Sequence, residues 1–326
     1  MSGLVDVSWL RRLERLRLVA RHVRAGQATG ERRSTKRGTS VEFADYRDYA
    51  RGDDLRRVDW NIYARLERPF VKLLEEEEDL AVHVLLDGSG SMEWGEGERG
   101  SGGAEGTVGQ GDRGTRRQGE GDGNKWVYGR RMAAALGYIA LVAGDQLKVA
   151  VLQSPTSNFQ LPTSNLQFGP VRGRGQALRL FNWLEGLVAG GATDLNGSLR
   201  TYAVAGGRPG LAVLISDLFS PGGYVEGLAA LAARGHEVVV VHVLAPDEVD
   251  PPLGGDLRLL DVETGEAQEV TLDATVQGLY RRRLAAWREE IGAACRARDV
   301  RYVPVETDVP FERVVLYELR RVGVVK

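Results

Sequence analysis

Residues Ala81 to Met92 read AVHVLLDGSGSM, a short apolar run that ends abruptly in a carboxylate followed by two hydroxyls spaced two apart. Val82, Val84, Leu85 and Leu86 show little apolar/polar alternation, the pattern of a central parallel strand covered on both faces. Asp87, Ser89 and Ser91 then fall at the strand's carboxyl end, where open α/β sheets place their ligands. Oxygen donors without His or Cys suit Mg2+, or Mn2+ or Ca2+, rather than zinc.

Taken alone, Asp-x-Ser-x-Ser also describes an ordinary Asx or serine turn closing a strand. Two later stretches point further. Gly190 to Leu199, GGATDLNGSL, places Thr193 in a glycine loop just ahead of a helix, and Leu211 to Asp217, LAVLISD, is a second apolar strand ending in a carboxylate. Three oxygen-bearing loops of this kind are expected to converge on one ion at the rim of a single sheet.

On these residues the chain resembles the von Willebrand factor A domain with its metal-ion-dependent adhesion site. The resemblance implies direct metal ligation by Ser89, Ser91 and Thr193, water-mediated roles for Asp87 and Asp217, and a partner's Asp or Glu completing the shell. Leu218 departs from that pattern, standing where glycine is frequent.

The 326 residues allow one large α/β domain with a smaller attachment. The longest apolar run, Met132 to Ala143, is too short to span a bilayer, and the N-terminus has no apolar signal core. A single cysteine forbids an intrachain disulfide, so a cytoplasmic location is expected. Net charge is only −2, but residues 1–37 carry ten Lys/Arg against three Asp/Glu. This basic segment contains a helical stripe of Trp9, Leu13, Leu16, Ala20 and Val23, with the arginines mostly off it. The stripe is expected to pack on the rest of the protein; a membrane or nucleic-acid role for the arginines is the alternative.

Residues 38–79 are dense in aromatics, arginines and aspartates. Tyr46, Tyr49, Trp60, Tyr63 and Phe70 are expected to supply the apolar surface of a small subdomain. Asp45, Asp48, Asp53, Asp54 and Asp59 interleave with Arg47, Arg51, Arg56, Arg57 and Arg65 as an expected ion-pair lattice. The order SVEFADYRDY, GDDLRRVDWN and FVKLLEEEED leading into LLDGSGSM resembles the bacterial and archaeal domain-of-unknown-function fifty-eight family. So do LRLLDVETGE at 257–266, YRRRLAAWREE at 280–290 and VPVETDVPFERVVLYELRRVG at 303–323. This resemblance implies a von Willebrand A-like domain after the N-terminal subdomain and a MoxR-type AAA+ ATPase as partner. Some members carry two N-terminal transmembrane helices, which are not expected in this sequence.

The glycine-dominated stretch 93–124 has too few apolar side chains to fold and is expected to be a disordered insertion at the rim of the site. It lacks the G-x-x-x-x-G-K-[ST] spacing of a nucleotide loop. Beyond it the pattern alternates: helix 125–143, strand 146–153, a polar loop to about 173, helices 175–187 and 195–205, strand 211–216, helix 223–234 and strand 237–244. A two-stranded excursion at 256–272, helix 275–298 with Cys295 on its buried stripe, strand 300–305 and helix 310–322 complete it.

These readings imply a doubly wound, mostly parallel α/β domain at 80–326, a family-specific subdomain at 38–79 and a basic segment at 1–37. The expected function is metal-dependent protein–protein interaction without catalysis. Two alternatives are weighed. A phosphoryl hydrolase would use Asp87 as nucleophile, but the usual second acid is replaced by Ser89 and no lysine presents itself for the site. A nucleic-acid-associated protein would use the basic N-terminus. The four histidines, two of them inside predicted strands, are expected to be structural.

Overall fold

The structure, a computed structural model, describes residues 4, 6–21, 41–50, 58–76, 79–95, 123–153, 166–205, 207–251, 255–260, 267–272 and 274–326. Residues 1–23 with 80–326 form one compact unit and residues 24–79 a second.

The first unit is built on a six-stranded sheet. Strands β3 (Ala81–Asp87), β6 (Leu211–Ser216) and β7 (Glu237–Leu244) are buried along their whole length, as their near-continuous aliphatic sequences require. With β4 (Gln146–Leu152), β5 (Gln167–Val171) and β10 (Arg301–Glu306), the spatial order is β10-β7-β6-β3-β4-β5. Every pairing is parallel except β4 with β5. The order reverses between β3 and β6, which makes the carboxyl ends of these two strands the topological switch point.

Side chains alternate across the sheet into two cores. Val82, Val84 and Leu86 of β3 join α3 (Lys125–Ala143), α4 (Ala177–Glu185) and the N- and C-terminal segments on one face. Leu85 and Leu214 join α5 (Leu195–Val204), α6 (Val225–Ala233) and α8 (Ala274–Arg296) on the other. Helix α3 is buried almost all round, and close approach to β3 explains its glycine: a Cβ at Gly129 would lie 2.9 Å from Leu86 Cδ1. Cys295 is fully buried within α8, and burial pushes its thiol up to about 11, the behaviour of a packing residue.

Three expectations for the first unit are corrected. The N-terminal stripe does not run as one helix to Val23: α1 spans only Val7–Leu13, after which Leu18 pairs with Val325 as an isolated antiparallel bridge. Arg17 N donates to Lys326 O and Val19 N to Val324 O, so pairing with the chain's own C-terminus wins over helix continuation. Leu4, Leu13, Leu16 and Leu18 are nonetheless buried, and Trp9 packs 5.6 Å from Phe311 between ring centroids. The polar loop expected up to 173 contains β5, whose Gly169 and Pro170 disguise it and are tolerated because it is an edge strand. The C-terminal helix is α9 (Phe311–Arg313) and α10 (Leu319–Arg321) joined by a π turn at Val314–Glu318. A four-residue helix α7 (Pro246–Val249), which the sequence did not announce, follows β7.

In the second unit β1 (Val41–Asp48) and β2 (Phe70–Glu76) pair antiparallel, with α2 (Trp60–Leu66) between them in sequence. Asp59 caps α2, accepting from Asn61 N at 2.9 Å and Ile62 N at 3.2 Å. Trp60 and Tyr63 do not form the expected core: they are 58% and 44% exposed and meet edge to face at 5.9 Å. A seven-residue helix without buried residues cannot carry them inward. Most of the proposed Asp/Arg lattice, Asp45, Arg47, Arg51, Asp53, Asp54, Arg56 and Arg57 among it, lies outside the described side chains, as do insertion residues 96–122. The excursion at 256–272 is an antiparallel pair, β8 (Gly255–Leu260) and β9 (Ala267–Leu272).

Candidate metal centre

Asp87 closes β3 with its carboxylate 2% exposed and both oxygens engaged. Oδ1 accepts from Ser89 N at 3.0 Å and Oδ2 from Ser216 Oγ at 2.6 Å, tying the ends of the two switch-point strands together. The chain then turns through a short 3-10 segment, Gly90–Glu93, which brings Ser91 Oγ to 3.0 Å from Ser89 Oγ. Two hydroxyls spaced two apart in sequence thereby face one another.

The glycine loop is laced to this turn through the backbone. Gly190 N donates to Gly88 O at 2.9 Å and Gly90 N to Gly191 O at 2.8 Å, while Gly88 N donates to Leu152 O on β4. Gly88 is required there, since a Cβ would sit 2.6 Å from Val151 Cγ1, and Gly191 holds a left-handed φ of 75°. Thr193 is 5% exposed and its hydroxyl lies 3.4 Å from Leu152 O. Asp194, next in sequence, caps α5 by accepting from Gly197 N.

The third loop joins the second through Ser220, whose Oγ donates to Thr193 O and accepts from Leu195 N. Leu218 adopts φ 60°, the left-handed backbone that glycine takes without strain, and its side chain is buried in the second core. Asp217 is fully buried. Its Oδ1 accepts from Phe219 N at 3.0 Å, and its Oδ2 lies 2.7 Å from Lys125 Nζ.

Lys125 corrects the expectation that no lysine serves the site. It is the first residue of α3, fully buried, with Nζ also 2.6 Å from Glu248 Oε1 on α7 and 5.2 Å from the centroid of the Phe219 ring. Glu248 Oε2 accepts from Ala245 N at 2.8 Å. Its local sequence reads only as a helix start; the available signal was Asn124, a residue suited to capping, which sets Lys125 at the sheet's rim.

Electrostatics follow from this geometry. Burial, reinforced by the Asp217 charge, pushes the Asp87 carboxyl up to about 7 against the opposing bonds from Ser216 and Ser89. Burial also raises Glu248, with Lys125 opposing the shift. His242 lies beneath the third loop, with Nε2 3.0 Å from Asp217 O and Nδ1 2.7 Å from Tyr302 OH. A carbonyl only accepts, so these partners place the proton on Nε2, and burial holds the ring neutral, down to about 4.

Among the described residues no group of three or more His, Cys, Asp or Glu side chains is placed to hold a metal ion. The donor set fits a hard divalent ion: a facing pair of serine hydroxyls, a threonine on a loop laced to them, and two buried carboxylates whose mutual repulsion a cation relieves.

Comparison with known proteins agrees with the long sequence resemblance. An uncharacterized protein of Mycobacterium tuberculosis is 26% identical over 296 residues, covering 91% of this chain and 84% of the relative. One from Mycobacterium avium is 36% identical over 118 residues, covering 35% of this chain and 69% of its own. Among solved structures, the conserved hypothetical protein BatB of Bacteroides thetaiotaomicron has a TM-score of 0.39 at 16% identity, covering 74% of this chain and 98% of that one. An aerotolerance-related membrane protein of Bacteroides fragilis has a TM-score of 0.40 at 15% identity, covering 74% and 100%. Among the described residues of the present chain, no helix is long and apolar enough to cross a membrane. The family model described as protein of unknown function DUF58 matches residues 45–102 and 116–290, and the chain belongs to that family.

Proposed function

We propose that this protein is a metal-dependent protein–protein interaction module, with a metal-ion-dependent adhesion site of the von Willebrand A type at the carboxyl rim of its sheet. The observation that carries the reading is the facing Ser89 and Ser91 hydroxyls beside the buried carboxylates of Asp87 and Asp217 at the switch point. When bound, a divalent cation would supply positive charge and an open coordination position for an acidic ligand. The chain's own residues do the rest. Ser89, Ser91 and Thr193 offer neutral donors, so the charge of the ion is not cancelled from that side. Asp87 and Asp217 act from behind them, each already held by hydrogen bonds that fix its orientation. The partner class is a protein presenting Asp or Glu, and the family resemblance adds a MoxR-type AAA+ ATPase as the assembly in which it works.

The role is binding without turnover. Lys125 gives the phosphoryl-hydrolase alternative a cation near the carboxylates, but its ammonium is held between Asp217 and Glu248, and the position two after Asp87 is a serine. The test is Mg2+-dependent capture of partners by the full chain, compared with EDTA, for wild type and for Asp87→Ala, Ser89→Ala and Thr193→Ala. Each substitution is expected to abolish metal-dependent capture while leaving the fold intact. Normal capture by all three would sink the reading; a metal-dependent phosphatase activity lost in Asp87→Ala would replace it with the hydrolase.

A further inference from the structure

Lys125 is a fully buried ammonium with two short carboxylate contacts, 2.7 Å to Asp217 and 2.6 Å to Glu248. Nothing about helix formation asks for it, because the first position of a helix is freely exposed to solvent in most proteins and a lysine there opposes the helix dipole. Removing a lysine from water is costly unless it is paired. Its burial therefore points to the charges it meets. Asp217 belongs to the proposed centre, whereas Glu248 stands on α7, outside it.

We infer that Lys125 and Glu248 together set the electrostatic balance of the metal centre, Lys125 weakening the hold on the ion and strengthening the hold on an acidic ligand, and Glu248 doing the reverse. The inference rests on the proposed adhesion site. With Asp87, Asp217 and Glu248 ionised, the three carboxylates and one ammonium carry a net formal charge of −2, matched to a single divalent ion. Without the ammonium the same pocket would attract the ion more strongly and, once loaded, would keep a net negative charge that repels an incoming carboxylate. Without the Glu248 charge the ion is held less firmly, and the loaded site is net positive. In a buried setting one unit of charge a few ångströms away readily changes an affinity on the order of tenfold.

Glu248 is positioned for this role by bonds independent of the metal loops. Its second oxygen accepts from Ala245 N, and its carbonyl accepts from Tyr280 OH on α8. Phe219, two residues after Asp217, lies near Lys125 Nζ and stacks on Trp287 of α8 at 5.1 Å between centroids with 4° between planes. The ammonium is thus fenced by an aromatic ring and two carboxylates. Its place is structural, while its charge acts on the neighbouring centre.

The test uses the full chain with Mn2+ as probe. Calorimetry gives the Mn2+ affinity. Titration of acetyl-Gly-Glu-Gly-amide into the Mn2+-loaded protein, followed by water-proton relaxation, gives the affinity for a carboxylate. Lys125→Met is expected to bind Mn2+ on the order of tenfold more tightly and the peptide on the order of tenfold more weakly. Glu248→Gln is expected to shift both constants the opposite way. The double variant Lys125→Met/Glu248→Gln restores the net charge and should return both constants close to wild type. If Lys125→Met alone does not fold, the shape-preserving Glu248→Gln and the double variant carry the test. A purely structural pair would move both affinities in the same direction, and that result, or no change in Glu248→Gln, overturns the inference while leaving the adhesion site standing. Absence of Mn2+ binding by wild type overturns both.

Discussion

At the scale of single residues, two buried groups respond to pH with opposite signs. Asp87 has its carboxyl raised from an ordinary 3.8 to about 7 in the folded protein, so between those values the native state keeps a proton that the unfolded chain has lost. Stability of the metal-free protein therefore falls as pH rises through this window, and the cost is complete above about 7. Asp87→Asn should be more stable than wild type in EDTA at pH 8, on the order of 4 kcal/mol, with the gap narrowing at pH 5, while losing metal binding. Urea unfolding at the two pH values checks it, and a destabilised variant at pH 8 would refute it. His83 behaves inversely. Burial first, then the neighbouring His236, lowers its imidazole to about 4; Nδ1 lies 2.7 Å from Tyr202 OH and Nε2 3.0 Å from Arg208 O. The unfolded chain takes up a proton near 6.5 that the native ring refuses until about 4, so stability is lost as pH falls across that interval, on the order of 2–3 kcal/mol. His83→Asn, which keeps an acceptor for Tyr202, should flatten the slope between pH 7 and 4; an unchanged slope would assign it to other groups.

At the scale of elements, the glycine-rich insertion leaves and rejoins the fold through a closed base. Lys125 N donates to Trp94 O at 3.0 Å, and Asn124 Nδ2 to Glu93 O at 2.8 Å. Because these stems meet, replacing residues 97–121 with a short Gly-Ser linker should leave the unfolding free energy within about 1 kcal/mol. The same change removes Glu98, Glu105, Asp112 and Glu120, carboxylates linked covalently to those stems, and a flexible tether of this kind gives an effective concentration on the order of millimolar. Affinity of the Mn2+-loaded protein for an acidic peptide should rise; an unchanged or lower affinity in the same titration would make the insertion a spacer or part of the docking surface. The N-terminal segment is a different matter. Leu13, Leu16 and Leu18 are buried in the main core, as packing of the N-terminal stripe requires, and the backbone there pairs with residues 324–326. Deleting it would open that core, so neutralising exposed arginines is the sounder way to examine nucleic-acid binding.

At the scale of the whole molecule, a ligand held only by the folded state must stabilise it. Saturating Mg2+ or Mn2+, at about a hundred times its dissociation constant, should stabilise the chain by about 2.7 kcal/mol, seen as a raised melting temperature that EDTA reverses and that Asp87→Ala abolishes. A metal-independent melting temperature would count against the centre. The sequence by itself determined the layered α/β plan, because strands covered on both faces must be written as near-continuous aliphatic runs: β3, β6 and β7 were legible for that reason, and α3 for its apolar run from Met132 to Ala143. It also marked Asp87, Ser89 and Ser91, whose spacing alone places them on one turn. Long-range partners were not legible. The edge strand β5 draws its backbone bonds from β4 and needs no apolar signature, and α1 stops where pairing with the C-terminus becomes available. Trp60 and Tyr63 looked like core from composition but lie exposed on a helix too short to bury them. Lys125, Asp217 and Glu248 are far apart in the chain and carry no common motif. Only the tertiary structure brings them together, because burial of a charge is decided by what surrounds it in space and not by its neighbours in sequence.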